Sequence, residues 1–248
     1  MKGLGHPLRL PPLVEGEAFF QPVLTEPDPR DYTASMLAII DYQAGNQTSV
    51  RRALSALGIS AFITGDPERL ATAEGLIFPG VGAAGQAMGH LKATGLDRAI
   101  LDLARRRPFL GICLGCQIML EDSDEDGGVT ALGLFPGHNR RFDRSRIERG
   151  RPLRIPHMGW NTIRSLKPSP LFEGLRPDDQ FYFVHSYYPQ PEPEDILAQT
   201  EYGVPFASVF GRDGLWAVQF HPEKSGPPGL RLLANFYGFC RKTALDRT

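Results

Sequence analysis

The run Gly111-Ile112-Cys113-Leu114-Gly115 sets a thiol between two glycines, where a short apolar strand feeds into a helix. This G-x-C-x-G pattern is the cysteine counterpart of a nucleophile elbow. A sharp strand-to-helix turn forces its central residue into a strained backbone conformation, and flanking glycines relieve the crowding. The thiol would then stand at the carboxyl ends of the strands, where the N–H groups of the following helix would lower its pKa. A nucleophile also needs a base. Of six histidines, His221 has the most informative context, Ala217-Val218-Gln219-Phe220-His221-Pro222-Glu223-Lys224. It closes a hydrophobic strand, Pro222 turns the chain out of the sheet, and Glu223 can bend back to the imidazole. Cys113, His221 and Glu223 are therefore a candidate nucleophile, base and orienting carboxylate. Acyl transfer further requires donors for an oxyanion, and the turn Pro79-Gly80-Val81-Gly82-Ala83 can aim backbone N–H groups into the same crevice.

Other patterns compete for the same residues. Cys113 and Cys116 form C-x-x-C, which suits a redox pair or half of a zinc site. Zinc needs two further ligands, and there is no second cysteine pair. The redox reading stays open, although it leaves the glycines and His221 unexplained. Residues 121–128 (EDSDEDGG) resemble the start of a calcium loop, but its twelfth position is Gly133 and not Glu, so a solvated acidic loop is expected and no metal. Residues 140–154 hold seven arginines with Phe142 alone to stack a base, which reads as a charged surface loop. The glycines match neither a P-loop nor a dinucleotide fingerprint.

These residues need a framework. From Met36 to about residue 120, strands expected at 37–41, 59–64, 75–79 and 109–112 alternate with helical stretches. Asn46 is expected to cap a helix with the stripe Val50, Ala53, Leu54 and Leu57. Further helix is expected over 84–106. The second half is richer in strands, at 158–163, 180–185, 196–202, 207–212 and 215–221. A final amphipathic helix would bury Leu230, Leu233, Ala234, Tyr237 and Cys240. The pattern predicts an α/β, three-layer fold with a mainly parallel central sheet, helices on both faces and additional strands in the second half.

The 248 residues carry 27 basic and 28 acidic side chains, a formal charge of −1, which gives no electrostatic reason to expect nucleic acid or a membrane surface as partner. Three cysteines exclude a disulfide scaffold and point to a reducing, cytoplasmic setting. Residues 1–35 stand apart. Pro7, Pro11, Pro12, Pro22, Pro27 and Pro29 leave little room for regular structure, and the acids among them argue against a secretory or mitochondrial signal. They read as a disordered leader before a single domain over 36–248, with Met36 as a candidate start.

Taken together, the motifs resemble the triad-type (class I) glutamine amidotransferases, and most closely the glutaminase subunits of imidazole glycerol phosphate synthase in histidine biosynthesis. The shared stretches are Asp41-Tyr42 with Gly45-Asn46, Pro79-Gly80-Val81-Gly82, the elbow with Gln117, Pro156-His157-Met158-Gly159-Trp160-Asn161, Tyr182-Phe183-Val184-His185-Ser186-Tyr187 and His221-Pro222-Glu223-Lys224-Ser225. The resemblance implies a flavodoxin-like fold and a glutaminase with no cofactor. It implies Cys113 as nucleophile, His221 as acid and base, Glu223 as orienter, and Gly80, Val81 and Gly82 as oxyanion loop. Gln117 would hold glutamine, Glu125 would read its α-amino group, and the Ser186–Tyr187 backbone would lie near its carboxylate. Trp160, Tyr182 and Lys224 would face a (β/α)8-barrel cyclase subunit in a heterodimer, to which ammonia is delivered. Three departures stand out: Gln43 and Gln47 occupy positions usually held by Gly and an apolar residue, and Cys116 replaces a Met. Three rivals remain: the glutaminase of another synthase, a thiol–disulfide oxidoreductase using Cys113 and Cys116, and an inactive interaction module.

Overall fold

The computed structural model describes residues 36–43, 46–148 and 151–245. The proline-rich leader, Gly45 and part of the arginine-rich stretch lie outside the described residues. The core is an eight-stranded sheet. Four of its strands come from the first half: β1 (Leu37–Ile40), β2 (Ala61–Thr64), β3 (Gly75–Gly80) and β4 (Phe109–Cys113). They run parallel in the order β2, β1, β3, β4, and Leu215–Val218 joins parallel to β4. Pro205–Arg212, Ile196–Glu201 and Arg164–Ser165 extend the sheet antiparallel. Strands β1, β3 and β4 are buried throughout, as expected of parallel strands covered on both faces.

Alternation along the strands divides the core into two layers. Ala38, Ile40, Leu76, Phe78 and Phe109 pack with α3 (Ala84–Thr94) and α4 (Leu96–Ala104). Leu37, Ile39, Ile77, Leu110 and Ile112 pack with α1 (Gln47–Ala56) and the terminal helix Gly226–Leu245. No helix among the described residues is long and apolar enough to cross a membrane.

Several local expectations change. The helical stretch over 84–106 is two helices, broken at Gly95, whose φ of 72° suits glycine. The buried stripe of α1 is Gln47, Val50, Ala53 and Leu54, while Leu57 terminates the helix half-buried. The terminal helix is rotated from its expected setting. It buries Gly229, Leu232, Leu233, Phe236 and Cys240, and Leu230, Ala234 and Tyr237 are only half-buried. The arginine-rich stretch overlaps a strand, Gly137–Arg141, paired antiparallel with Tyr187–Pro191. Its inward residues are Gly137 and Asn139, so no hydrophobic alternation announced it. Asn139 is fully buried and donates to the carbonyls of Gln117 (2.7 Å) and Asp122 (2.9 Å).

A separate ribbon pairs His157–Thr162 with Gln180–His185, antiparallel, with Trp160 opposite Tyr182. Its outward side leaves Met158 63% and Trp160 54% exposed, so this face is apolar and uncovered among the described residues.

Candidate active site

The elbow is built as its residues require. Cys113 ends β4 with φ 53° and ψ −106°, a conformation that a side-chain-bearing residue adopts only under constraint. The constraint is close packing of the turn on β3. A Cβ on Gly115 would overlap the Phe78 carbonyl oxygen, and one on Gly80 would come within 2.5 Å of Leu114 Cβ. The following helix is a single turn, Leu114–Gln117, shorter than the sequence suggests. One turn sums few peptide dipoles. The charge beside the sulfur therefore comes from His221.

His221 and Glu223 form a sealed pair. Nδ1 of His221 lies 2.7 Å from Oε1 of Glu223, and both side chains are almost fully buried. Burial alone would pull the imidazole pKa down. The adjacent Cys113 sulfur and the Glu223 carboxylate outweigh burial and raise it to about 10. Burial pushes Glu223 up, but the hydrogen bond and charge of His221, with help from Asn46, bring it below the usual carboxylate range. With Nδ1 committed to Glu223, the buried Nε2 is the nitrogen left to exchange a proton with the Cys113 sulfur. The backbone is pinned too. His221 N–H donates to the Tyr182 carbonyl (2.9 Å), and Ser225 Oγ donates to the His221 carbonyl (2.6 Å).

Asn46 occupies the N-cap position of α1, but its side chain makes no capping hydrogen bond. Its backbone is left-handed, with φ 90°, and its Nδ2 donates to Glu223 Oε1 at 2.6 Å. Gln43 adopts φ 63°, which explains why glycine suits that position. Gln47 is tolerated in the buried stripe because its Nε2 bonds Asp41 Oδ1 at 3.2 Å.

A row of amides and imidazoles leads to the sulfur. Gln117 Nε2 donates to the Tyr187 carbonyl (2.9 Å) and to Gln219 Oε1 (3.0 Å), and Gln219 Nε2 lies 3.7 Å from Cys113 Sγ as donor. The Tyr187 carbonyl is also bonded by His185 Nδ1 (2.7 Å), and His185 Nε2 meets His157 Nδ1 at 3.1 Å. Both histidines stay neutral. Burial lowers His157 to about 4, and burial with the neighbouring ring lowers His185 to about 3.

A strained cysteine beside a carboxylate-bound histidine is the arrangement that thiol acyl transfer would require, and comparison with known proteins gives the family. Residues 38–238 match the family model described as glutamine amidotransferase class-I. A curated relative, imidazole glycerol phosphate synthase subunit HisH of Desulfovibrio desulfuricans, is 59% identical over 210 residues, covering 84% of this chain and 96% of that protein. The protein of the same name in Nitratidesulfovibrio vulgaris is 57% identical over 211 residues, covering 84% of this chain and 99% of that protein. The chain belongs to the class-I glutamine amidotransferases, in the HisH group. The fold agrees at greater distance. PurLQS from Thermotoga maritima superposes with a TM-score of 0.64 at 15% identity, covering 83% of this chain and 98% of that one.

The remaining candidates of this amidotransferase fall around the elbow. Gly80 pairs in register with Cys113, and Gly82 has φ 100°. The Val81 N–H does not point to a free oxyanion site. It donates to Tyr42 Oη at 3.2 Å, and that hydroxyl lies 3.4 Å from the Val81 carbonyl. Burial, with the Cys113 charge nearby, raises Tyr42 to about 12, so the phenol keeps its proton. Glu125 accepts from the Ala84 N–H at the start of α3 (2.7 Å), and burial raises its carboxyl. The Ser186 carbonyl accepts from the Phe142 N–H (3.1 Å). Trp160 and Tyr182 meet edge to face at 5.9 Å on the ribbon's outer side, and Lys224 is exposed beside Glu223.

Cys113 and Cys116 do not share a layer. Cys113 packs in the core layer with α1, and Cys116 packs fully buried in the opposite layer, where burial holds its thiol well above the ordinary range. The acidic loop serves structural ends: Asp122 bonds His138 (2.7 Å) and Asp124 bonds Arg140 (3.1 Å). Three contacts around the candidate site are not evident from the sequence: Asn46 with Glu223, Tyr42 with Val81, and Gln219 with Cys113. Gln219 left a signal, a lone amide in the apolar run 217–220, two residues before His221.

Proposed function

We propose that this amidotransferase hydrolyses glutamine to glutamate and ammonia through a thioester on Cys113. The observation that carries the reading is the buried His221–Glu223 pair beside a strained Cys113. With His221 raised to about 10, the site holds an imidazolium at neutral pH, so the proton needed by the leaving group is already in place. Cys113 sulfur attacks the side-chain amide carbon, and the carbonyl oxygen takes the negative charge. His221 passes its proton to the departing nitrogen, and ammonia leaves. The neutral imidazole then takes a proton from water, whose oxygen attacks the thioester carbon. Glutamate leaves, and the sulfur and imidazolium are restored. Glu223 holds the imidazole orientation throughout.

Gln117 holds the substrate through its carbonyl oxygen, since both its amide hydrogens are engaged. Glu125 offers its second oxygen to the α-amino group, with the Ser186–Tyr187 backbone near the carboxylate. Gly80, Val81 and Gly82 form the oxyanion loop, with Val81 N–H released from Tyr42 in the working state. Free ammonia would be protonated in neutral water, so it passes directly to a partner. The partner is a (β/α)8-barrel cyclase subunit that makes imidazole glycerol phosphate and the aminoimidazole carboxamide ribotide. It docks on the face of Trp160, Tyr182 and Lys224, in a cytoplasmic heterodimer. The exposed apolar side of that ribbon supports the docking. Glutamine hydrolysis is assayed with and without the cyclase subunit, for wild type and Cys113→Ala. Weak activity alone, a rise with the partner and loss in Cys113→Ala are expected. High activity unaffected by the partner would overturn the coupling, and an active Cys113→Ala would overturn the chemistry.

A further inference from the structure

Gln219 is fully buried at the strand end that leads into His221. A primary amide among Val218, Phe220 and other apolar side chains is costly unless both of its ends are satisfied. Here both are. Oε1 accepts from Gln117 at 3.0 Å, and Nε2 donates to Cys113 Sγ at 3.7 Å. The amide has one orientation available. Gln117 spends both amide hydrogens, one on the Tyr187 carbonyl and one on Gln219. Gln219 must therefore turn its oxygen to Gln117 and its NH2 to the sulfur. The Tyr187 carbonyl is fixed in turn by His185 Nδ1.

We propose that Gln219 is a positioning residue for the nucleophile. Its N–H holds the Cys113 sulfur in one rotamer, and its oxygen ties that sulfur to Gln117. A donor binds a charged sulfur more strongly than a neutral thiol, so the contact favours the form that attacks. The same amide sets the distance between nucleophile and substrate-holding side chain. The kinetic part of this proposal rests on the glutaminase reading, and the contact with the sulfur does not.

The test uses Gln219→Met, which keeps length and removes both hydrogen bonds, and Gln219→Leu, which removes both with a shorter apolar side chain; neither adds a charge beside the sulfur. The first readout needs no glutamine. Iodoacetamide labelling of Cys113, located by peptide mass mapping, is followed against pH in the full chain. In both variants the pH–rate curve moves to higher pH, by about one unit. The second readout is glutamine hydrolysis in complex with the cyclase subunit, where kcat falls about tenfold and KM changes less. A purely structural role would leave the labelling curve in place. Curves that superimpose on wild type in a variant with native circular dichroism and melting temperature would overturn the proposal. Should Gln219→Met not fold, Gln219→Leu decides it on the same criterion. If wild type labels normally but hydrolyses no glutamine, the glutaminase reading fails, and the labelling curves alone still decide the role of Gln219.

Discussion

Asn46 and Glu223 are 177 positions apart in sequence, yet Nδ2 of one sits 2.6 Å from Oε1 of the other. The same carboxylate oxygen bonds His221 Nδ1. Asn46 thus braces the orienter of the candidate triad through the oxygen that also bonds the imidazole. Asn46→Ala should leave the triad in place but looser, lowering glutaminase kcat about tenfold, the order expected for one hydrogen bond to a charged group. Unchanged kcat would mean that His221 alone suffices to hold Glu223.

Glu223→Gln should lower kcat about 100-fold or more, because the amide neither stabilises the imidazolium nor fixes its tautomer. The His221 proton provides a second readout. Its pKa of about 10 in the folded chain exceeds the ordinary 6.5. The stability it contributes is fully present below pH 6.5 and is lost as pH rises through about 10. NMR titration should find the imidazolium above the ordinary histidine range in wild type and lower in Glu223→Gln. An ordinary value in wild type would contradict the sealed pair.

His157 and His185 act in the opposite direction. Held neutral at about 4 and about 3, they refuse protons that the unfolded chain accepts below pH 6.5. Stability should therefore fall as pH drops from 6.5 to 4, by about 1.4 kcal/mol per pH unit for each histidine. Urea unfolding midpoints across that range check this. A flat profile would show that the pair takes up protons without unfolding.

Tyr42→Phe removes the hydroxyl that engages the Val81 N–H. If that N–H serves the oxyanion, the isolated chain should gain glutaminase activity, about fivefold for one hydrogen bond of ~1 kcal/mol. A loss of activity would assign Tyr42 a supporting role instead.

Cys116→Ser separates the thioester account from a thiol–disulfide one. The new hydroxyl sits in a dry layer, so stability should drop about 1–2 kcal/mol. Glutaminase activity should persist, since Cys116 lies across the sheet from the nucleophile's layer. Abolished activity in a folded variant would revive the redox pair.

Much of this was legible in the sequence, for physical reasons. Buried parallel strands are uninterrupted apolar runs, so β1, β3 and β4 declare themselves, and glycines at 111 and 115 mark a turn too tight for side chains. What was not legible depends on tertiary partners. Gly137–Arg141 hides because Asn139 replaces hydrophobic burial with hydrogen bonds to two carbonyls. Asn46 looks like a helix cap because the cap position suits asparagine, and only its partner on a distant loop gives it another task. The Val81 N–H is engaged by the Tyr42 hydroxyl, 39 positions away, which local sequence does not reveal. The terminal helix sits a fraction of a turn from the setting its sequence suggests, because Leu230, Leu232 and Leu233 are equally apolar and packing against the sheet chooses between them.

The chemistry proposed for Cys113 passes through a glutamyl thioester, and the most direct measurement looks for it. The full chain with its cyclase subunit is mixed with glutamine, quenched in acid during turnover and analysed by mass spectrometry of its peptides. A glutamyl adduct on the peptide carrying Cys113, confined by fragmentation to that residue and absent from Cys113→Ala, is the predicted result. Sustained glutamine hydrolysis by Cys113→Ala, or an adduct on Cys116, would contradict it.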